Sequence, residues 1–325
     1  MRKTGAVEIA TTDYHTAGEP FRIVREDVLD IPGATVRDRR EHAARTDAID
    51  RVRRLLCHEP RGHADMYGGF LVPPDDDGAH FGVLFWHKDG YSTACGHGTI
   101  ALGAWAVESS RVAAPADGDV EVTIDVPSGR VVARVRCAGG AVESVAFRNV
   151  PAYVIARGVE AAGAQVDIAY GGAIYAFVAA EQFGLRVVPD DLPALIARGR
   201  DVKAALAGSE VARHPDDERL SGVYGTVFHE DLGPRHQRNV AVFADGEVDR
   251  SPTGSATSAR TALLALGDGE TWRNDSIVGT TFYARAIGEA DGGVLTEVEG
   301  TAFRTGEHRF VLDPRDPLGT GFVMR

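Results

Sequence analysis

Ser92-Thr93-Ala94-Cys95-Gly96-His97-Gly98-Thr99 runs straight into Ile100-Ala101-Leu102-Gly103-Ala104-Trp105-Ala106-Val107, a loop of small residues feeding an almost unbroken apolar segment. Such a run of helix formers with so few polar side chains predicts a short, deeply buried helix over 99–108, beginning just after Gly98. The plan recurs later in the chain. Asp249-Arg250-Ser251-Pro252-Thr253-Gly254-Ser255 precedes Ala259-Arg260-Thr261-Ala262-Leu263-Leu264-Ala265-Leu266, with a stop at Gly267. Two segments of one design imply two halves, each with a glycine loop opening a buried helix. They differ at one position: the first loop carries a thiol, Cys95, where the second carries a hydroxyl, Thr253.

Outward from these loops the chain alternates strands and turns. Val7 to Arg25 reads as a strand, a polar turn through His15-Thr16-Ala17-Gly18-Glu19-Pro20, and a second strand, Phe21-Arg22-Ile23-Val24. Residues 37–56 place Ala44, Ile49, Val52, Leu55 and Leu56 at the spacing of one amphipathic helix. Val120, Val122, Ile124 and Val126 alternate strictly, turn at Pro127-Ser128-Gly129 and continue from 131 to 136, a half-buried hairpin. Further extended segments are expected at 145–147, 154–155, 173–179, 223–228 and 239–243. Asp190-Asp191-Leu192-Pro193 opens a helix reaching about Leu206.

Composition narrows the classes of function. The 325 residues are 44% hydrophobic and 25% charged, ordinary for a soluble globular protein with a substantial core. A net charge of −12 excludes an overall attraction to nucleic acid or an anionic membrane. The first residues lack a sustained apolar stretch, and no later run is long enough to span a bilayer, so a cytoplasmic protein is expected. Three cysteines, Cys57, Cys95 and Cys137, fit reduced thiols better than a disulfide framework. His58, His63 and Asp65 lie close in sequence but read as polar surface, and no metal or other cofactor is expected.

Each loop sets a side chain capable of proton chemistry before small residues whose amides are free at a helix N-terminus, where anions bind. Facing one another, the loops could hold one carboxylate between Gly96-His97 and Gly254-Ser255, with Cys95 and Thr253 on opposite faces of the bound molecule. That arrangement suits removal of a proton alpha to a carboxylate, because the amides meet the charge that develops on its oxygens. A helix N-terminus is expected to lower the thiol from about 8.5 and make it a base. Plainer readings stand beside this one: Cys95 as a small buried hydrophobe, Asp249-Arg250-Ser251-Pro252 as a turn, and Thr253 as a helix cap.

Five ordered motifs give a specific resemblance. Asp13-Tyr14-His15-Thr16-Ala17-Gly18-Glu19-Pro20-Phe21-Arg22-Ile23-Val24, Glu59-Pro60-Arg61-Gly62-His63-Ala64-Asp65-Met66-Tyr67-Gly68, Cys95-Gly96-His97-Gly98-Thr99, Asp167-Ile168-Ala169-Tyr170-Gly171-Gly172 and Asp249-Arg250-Ser251-Pro252 resemble the proline racemase family over essentially the whole chain. The resemblance implies an α/β (α+β) fold like that of diaminopimelate epimerase. Two pseudo-symmetric halves would each wrap a curved, mostly antiparallel sheet around a central helix, with the site in the cleft between them. We expect residues 1–127, joined by about 306–325, to form the half carrying Cys95, and 128–305 the half carrying Thr253. The family also implies a small imino-acid substrate, a possible homodimer, Asp249 as partner of the ring nitrogen, and Tyr224 near the ring substituent, where many epimerases have a histidine.

Racemases and epimerases of this family use a cysteine on each face, whereas this chain has Thr253 in the second place. Cys95 with Thr253 resembles the branch that dehydrates trans-3-hydroxy-L-proline without a cofactor to Δ1-pyrroline-2-carboxylate. Stereochemistry agrees: the 3-hydroxyl lies on the same ring face as the alpha hydrogen, so elimination needs a proton acceptor on one face only. The alternatives are a 4-hydroxyproline epimerase or proline racemase with an atypical second acid, and a non-catalytic imino-acid binding protein.

Overall fold

Thr16 and Glu19 face one another across a two-residue turn, Ala17-Gly18, so the first two strands, Val7–Thr16 and Glu19–Val24, form a hairpin. Both turn residues have positive φ, 52° and 98°, the twist that matches the flanking strands. From this hairpin the computed structural model, which describes residues 7–267, 269–290 and 292–324, builds one half of the molecule. Its strand order is Ala302–Leu312, Val7–Thr16, Glu19–Val24, Gly68–Val72, Phe81–His87, Gly118–Val126, Gly129–Ala138 and Ala141–Arg148. The second half runs Tyr153–Ala161, Ala164–Tyr170, Ile174–Ala179, Val223–Gly233, His236–Phe243, Thr271–Ser276, Thr281–Ala290 and Gly293–Gly300.

In both orders the third and fourth strands pair in parallel, as do the fifth and sixth, and all other neighbours are antiparallel. The halves are thus copies of one topology. They meet where the last strand of each pairs antiparallel with the other, Val298 opposite Phe147. Because Gly129–Ala138 and Ala141–Arg148 continue the first sheet, we place the crossing between halves after Arg148, later than residue 128.

Helices α1 (Val36–Arg45) and α2 (Asp47–Cys57) cover the first half, and α4 (Leu192–Leu206) occupies the equivalent place on the second. Where one helix was expected over 37–56, the chain breaks at Thr46. Its backbone is extended (φ −108°, ψ 102°), its hydroxyl donates to His42 O at 2.8 Å, and its carbonyl accepts from Ile49 and Asp50 to start α2. Two further helices form the centres of the halves: α3 (Gly96–Glu108) and α5 (Gly254–Leu264). Both begin inside the glycine loops rather than after them, and α5 ends on Ala265 in the left-handed region (φ 51°), before Gly267.

α3 is buried from Gly96 to Ala106, as a helix apolar on every side must be. Gly103 lets the sheet close on it: a Cβ there would lie 2.7 Å from Ala133 Cβ. α5 is equally buried but holds its sheet through polar pairs. Asn274 Nδ2 donates to Thr257 Oγ1, Thr296 Oγ1 to Ser258 Oγ, and Trp272 Nε1 to Thr261 Oγ1, at 2.8–2.9 Å. No helix among the described residues is long and apolar enough to cross a membrane.

Candidate active site

α3 and α5 point their N-termini at each other and touch at two glycines. A Cβ on Gly96 would stand 2.5 Å from Gly254 Cα, so bare backbone is required on both sides. The first residues of each helix, Gly96 and His97 on one side and Gly254 and Ser255 on the other, have N–H groups with no acceptor inside their own helix. Two positive helix ends therefore converge on one small cavity, as the sequence reading anticipates.

Cys95 is the N-cap of α3. Its Sγ accepts from Gly98 N at 3.1 Å, which is why the helix reaches back to Gly96, and the His97 ring nitrogens lie 3.5 Å away. The thiol differs from the sequence expectation in one respect: burial pushes its pKa well above the ordinary value. The Gly98 amide lowers it but is outweighed, and the Asp249 and Glu19 carboxyls raise it further. Desolvation of the thiolate is the stronger effect.

Asp249 enters from the short strand Glu247–Asp249. Its Oδ1 accepts from Ser251 N at 2.7 Å, and its Oδ2 lies 3.6 Å from His97 Nδ1, so His97 bridges the thiol and the carboxylate. Behind them Glu19 is fully buried and accepts from Arg250 N at 2.7 Å; burial first, and Asp249 second, raise its pKa well above the carboxylate range. Arg250 in turn ion-pairs with Asp65 at 2.7 Å, and Asp65 also accepts from Val248 N at 3.0 Å. Asp65 is thus buried, contrary to the surface reading, because it clamps the loop before α5 to the first half. His87, Asp89 and Glu247 also bring ligating atoms within 4.8 Å of one another. There His87 Nδ1 bonds Glu247 Oε1 at 2.8 Å and Asp245 N donates to Asp89 Oδ2 at 2.9 Å, so these groups tie the halves by hydrogen bonds.

Thr253 faces Cys95 from the α5 side of the cavity. Its backbone sits at φ 58°, ψ 90°, a region a β-branched residue adopts only under strain. Thr257 N bonds its carbonyl at 2.7 Å, but its buried hydroxyl has no partner among the described residues and does not cap the helix. The cap reading of Thr253 is therefore set aside.

Tyrosines complete the walls. Tyr175 OH bonds Ser255 Oγ at 2.7 Å; Tyr67 OH bonds Ser92 Oγ and lies 3.2 Å from Tyr224 OH. Of the residues named from sequence, Cys95, Gly96, His97, Tyr224, Asp249, Thr253 and Ser255 all line the cavity, and Gly254 forms its floor contact with Gly96. Tyr67, Tyr175 and Glu19 were missed. Glu19 and Tyr67 lie inside family-like motifs, which was their available signal, whereas Tyr175 stands in an apolar strand that gave none.

A family model described as proline racemase matches residues 11–323. The chain is 41% identical over 328 residues to a trans-3-hydroxy-L-proline dehydratase of Bacillus cereus, with 97% of each chain covered. It is 42% identical over 336 residues to a 3-hydroxyproline 2-epimerase of Burkholderia multivorans, covering 98% of each. Among solved structures it superposes on a hydroxyproline epimerase from Agrobacterium vitis with bound trans-4-hydroxy-L-proline at a TM-score of 0.88. That pair is 28% identical and covers 98% of this chain and 96% of the other.

Proposed function

We propose, from the premise that this chain belongs to the proline racemase family, that it removes water from trans-3-hydroxy-L-proline, the immediate enamine tautomerising to Δ1-pyrroline-2-carboxylate. The observation that carries this reading is the unequal pair across the cavity, Cys95 on one face and Thr253 on the other. One face has a thiol that can act as a base, and on the other an alcohol, a far weaker proton donor, stands where a second thiol would complete inversion. The relatives named as dehydratases support the same reading.

In this reading the substrate carboxylate lies between the two helix ends, held by the amides of Gly96, His97, Gly254 and Ser255, and the ring ammonium faces Asp249. The cavity is about 10 Å³, room for about one water, so the ring enters as the halves part and is enclosed as they close. Burial first, and the Asp249 and Glu19 carboxyls after it, hold the thiol protonated. A cation against Asp249 offsets the carboxyl effect, and His97, 3.5 Å from Sγ, takes the thiol proton. The thiolate then removes the alpha proton, and the enolate charge falls on oxygens already facing N–H groups. The electron pair returns to form the C2=C3 bond as the C3–O bond breaks on the Cys95 face. No electrons leave the substrate, so the step calls for no redox carrier. The three cysteines are free and buried, which supports a reducing, cytoplasmic setting.

The test is direct: purified protein with trans-3-hydroxy-L-proline should yield pyrroline-2-carboxylate, read by coupled reduction to proline, and no product refutes the reading. A relative named as a 3-hydroxyproline 2-epimerase favours a second one, inversion at Cα. In deuterated water that activity would leave alpha-deuterated, inverted hydroxyproline instead of pyrroline.

A further inference from the structure

Elimination leaves one proton unassigned: hydroxide is a poor leaving group, and the departing 3-hydroxyl must be protonated on the face where Cys95 stands. The second half supplies Tyr175, Tyr224, Asp249, Thr253 and Ser255 to the cavity, whereas the first supplies two side chains with a transferable proton besides the thiol, His97 and Tyr67. His97 is engaged between Sγ and Asp249. Tyr67 directs its hydroxyl into the same corner: it lines the cavity together with Cys95, hydrogen-bonds Ser92 Oγ and lies 3.2 Å from Tyr224 OH. Its ring is fixed edge-on to His97, centroids 4.9 Å apart. Ser92 and Tyr224 also line an adjoining cavity of about 420 Å³, which gives the product water a place to go.

We propose that Tyr67 is the acid that turns the departing 3-hydroxyl into water and then recovers a proton from Cys95. This inference rests on the dehydratase reading. The balance is closed. Cys95 thiolate takes the alpha proton and becomes a thiol. The electron pair left at C2 forms C2=C3, the C3–O pair leaves on oxygen, and that oxygen takes the Tyr67 proton. The Tyr67 oxygen then takes the proton from Cys95 Sγ, which restores both groups. Burial raises the Tyr67 pKa well above 10, so the hydroxyl is intact as a donor at neutral pH. The phenolate forms only while its proton passes to the departing oxygen, next to a thiol that can replace it.

The experiment measures pyrroline formation and its alpha-deuterium isotope effect on kcat/KM, for the wild-type enzyme and for Tyr67→Phe. Loss of the acid slows elimination by about 10²-fold or more. It also makes C–O cleavage limiting, so the isotope effect falls below the wild-type value. An isotope effect equal to or above wild type, with the rate reduced, overturns the proposal, because Tyr67 would then act only on the base. An unreduced rate overturns it too. Should the phenylalanine variant not fold, 3,5-difluorotyrosine at position 67 keeps the ring and strengthens the acid. Its isotope effect should rise above wild type, and an unchanged value counts against the proposal. Wild-type enzyme that forms no pyrroline overturns the dehydratase reading itself, and the Tyr67 role with it.

Discussion

The two helix N-termini that meet at Gly96 and Gly254 are built on one topology and finished in opposite ways. At α3 the residue before the helix is extended (φ −155°) and its side chain caps the helix through Gly98 N. At α5 the equivalent residue is forced to φ 58° and its hydroxyl bonds nothing among the described residues. The relaxed side carries the thiol, and the strained side carries an unengaged hydroxyl. In the proposed reaction, symmetry supplies the carboxylate cradle, while the departure from symmetry favours elimination over inversion.

The sharpest way to break the comparison is to remove the active side. Cys95→Ala should lower the rate of pyrroline formation by about 10²–10⁴-fold, with circular dichroism unchanged. pH addresses the same side without mutation. Because burial raises the thiol pKa, its base form gains population only as pH rises through an elevated value. The kcat/KM for elimination should therefore still be climbing at pH 9, the ordinary thiol value, and a plateau already at pH 7 would refute it.

The shared feature is tested at the contact itself. In Gly96→Ala a Cβ would meet Gly254 Cα at 2.5 Å and Ser255 N at 2.7 Å, backbone that cannot turn aside. The helix ends must separate, at a cost of about 1–3 kcal/mol, so both the melting temperature and substrate affinity should fall. Thr253→Cys makes the two sides equivalent. Deuterated water should then place more label at Cα of inverted substrate than the wild type does, and no gain in a folded variant would contradict the two-faced geometry. The smallest effect belongs to Thr253→Gly, which relieves the positive φ. Stability should rise by about 1 kcal/mol, measured by thermal melting, while elimination stays within about tenfold of wild type, less than loss of an acid or base costs.

Sequence and structure agree best where a local pattern decides the outcome. The unbroken apolar run after Cys95 could only be an enclosed helix, and the Ala17-Gly18 turn could only join a hairpin. The break at Thr46 was hidden, because one threonine between two helical stretches differs little in propensity from its neighbours. The pairing of Ala302–Leu312 beside Val7–Thr16 was partly visible, but that strand is mostly exposed and offers a weak apolar rhythm. Cys95, Asp249 and Thr253 were legible because each sits in a loop whose neighbours explain it. Tyr175 was not, since a lone tyrosine in a strand carries no spacing, and the direction of the thiol shift depends on a wall supplied by the other half.

That last strand of the first half also sets an order of events during synthesis. Val7–Thr16 leaves the ribosome long before Ala302–Leu312, the strand with which it pairs on one side. Until then the first sheet has an open edge, and long-range pairing of this kind is slow to form. The half bearing Cys95 is therefore completed only after the half bearing Thr253 has been made, so Cys95 is locked into its sheet when its opposite wall already exists.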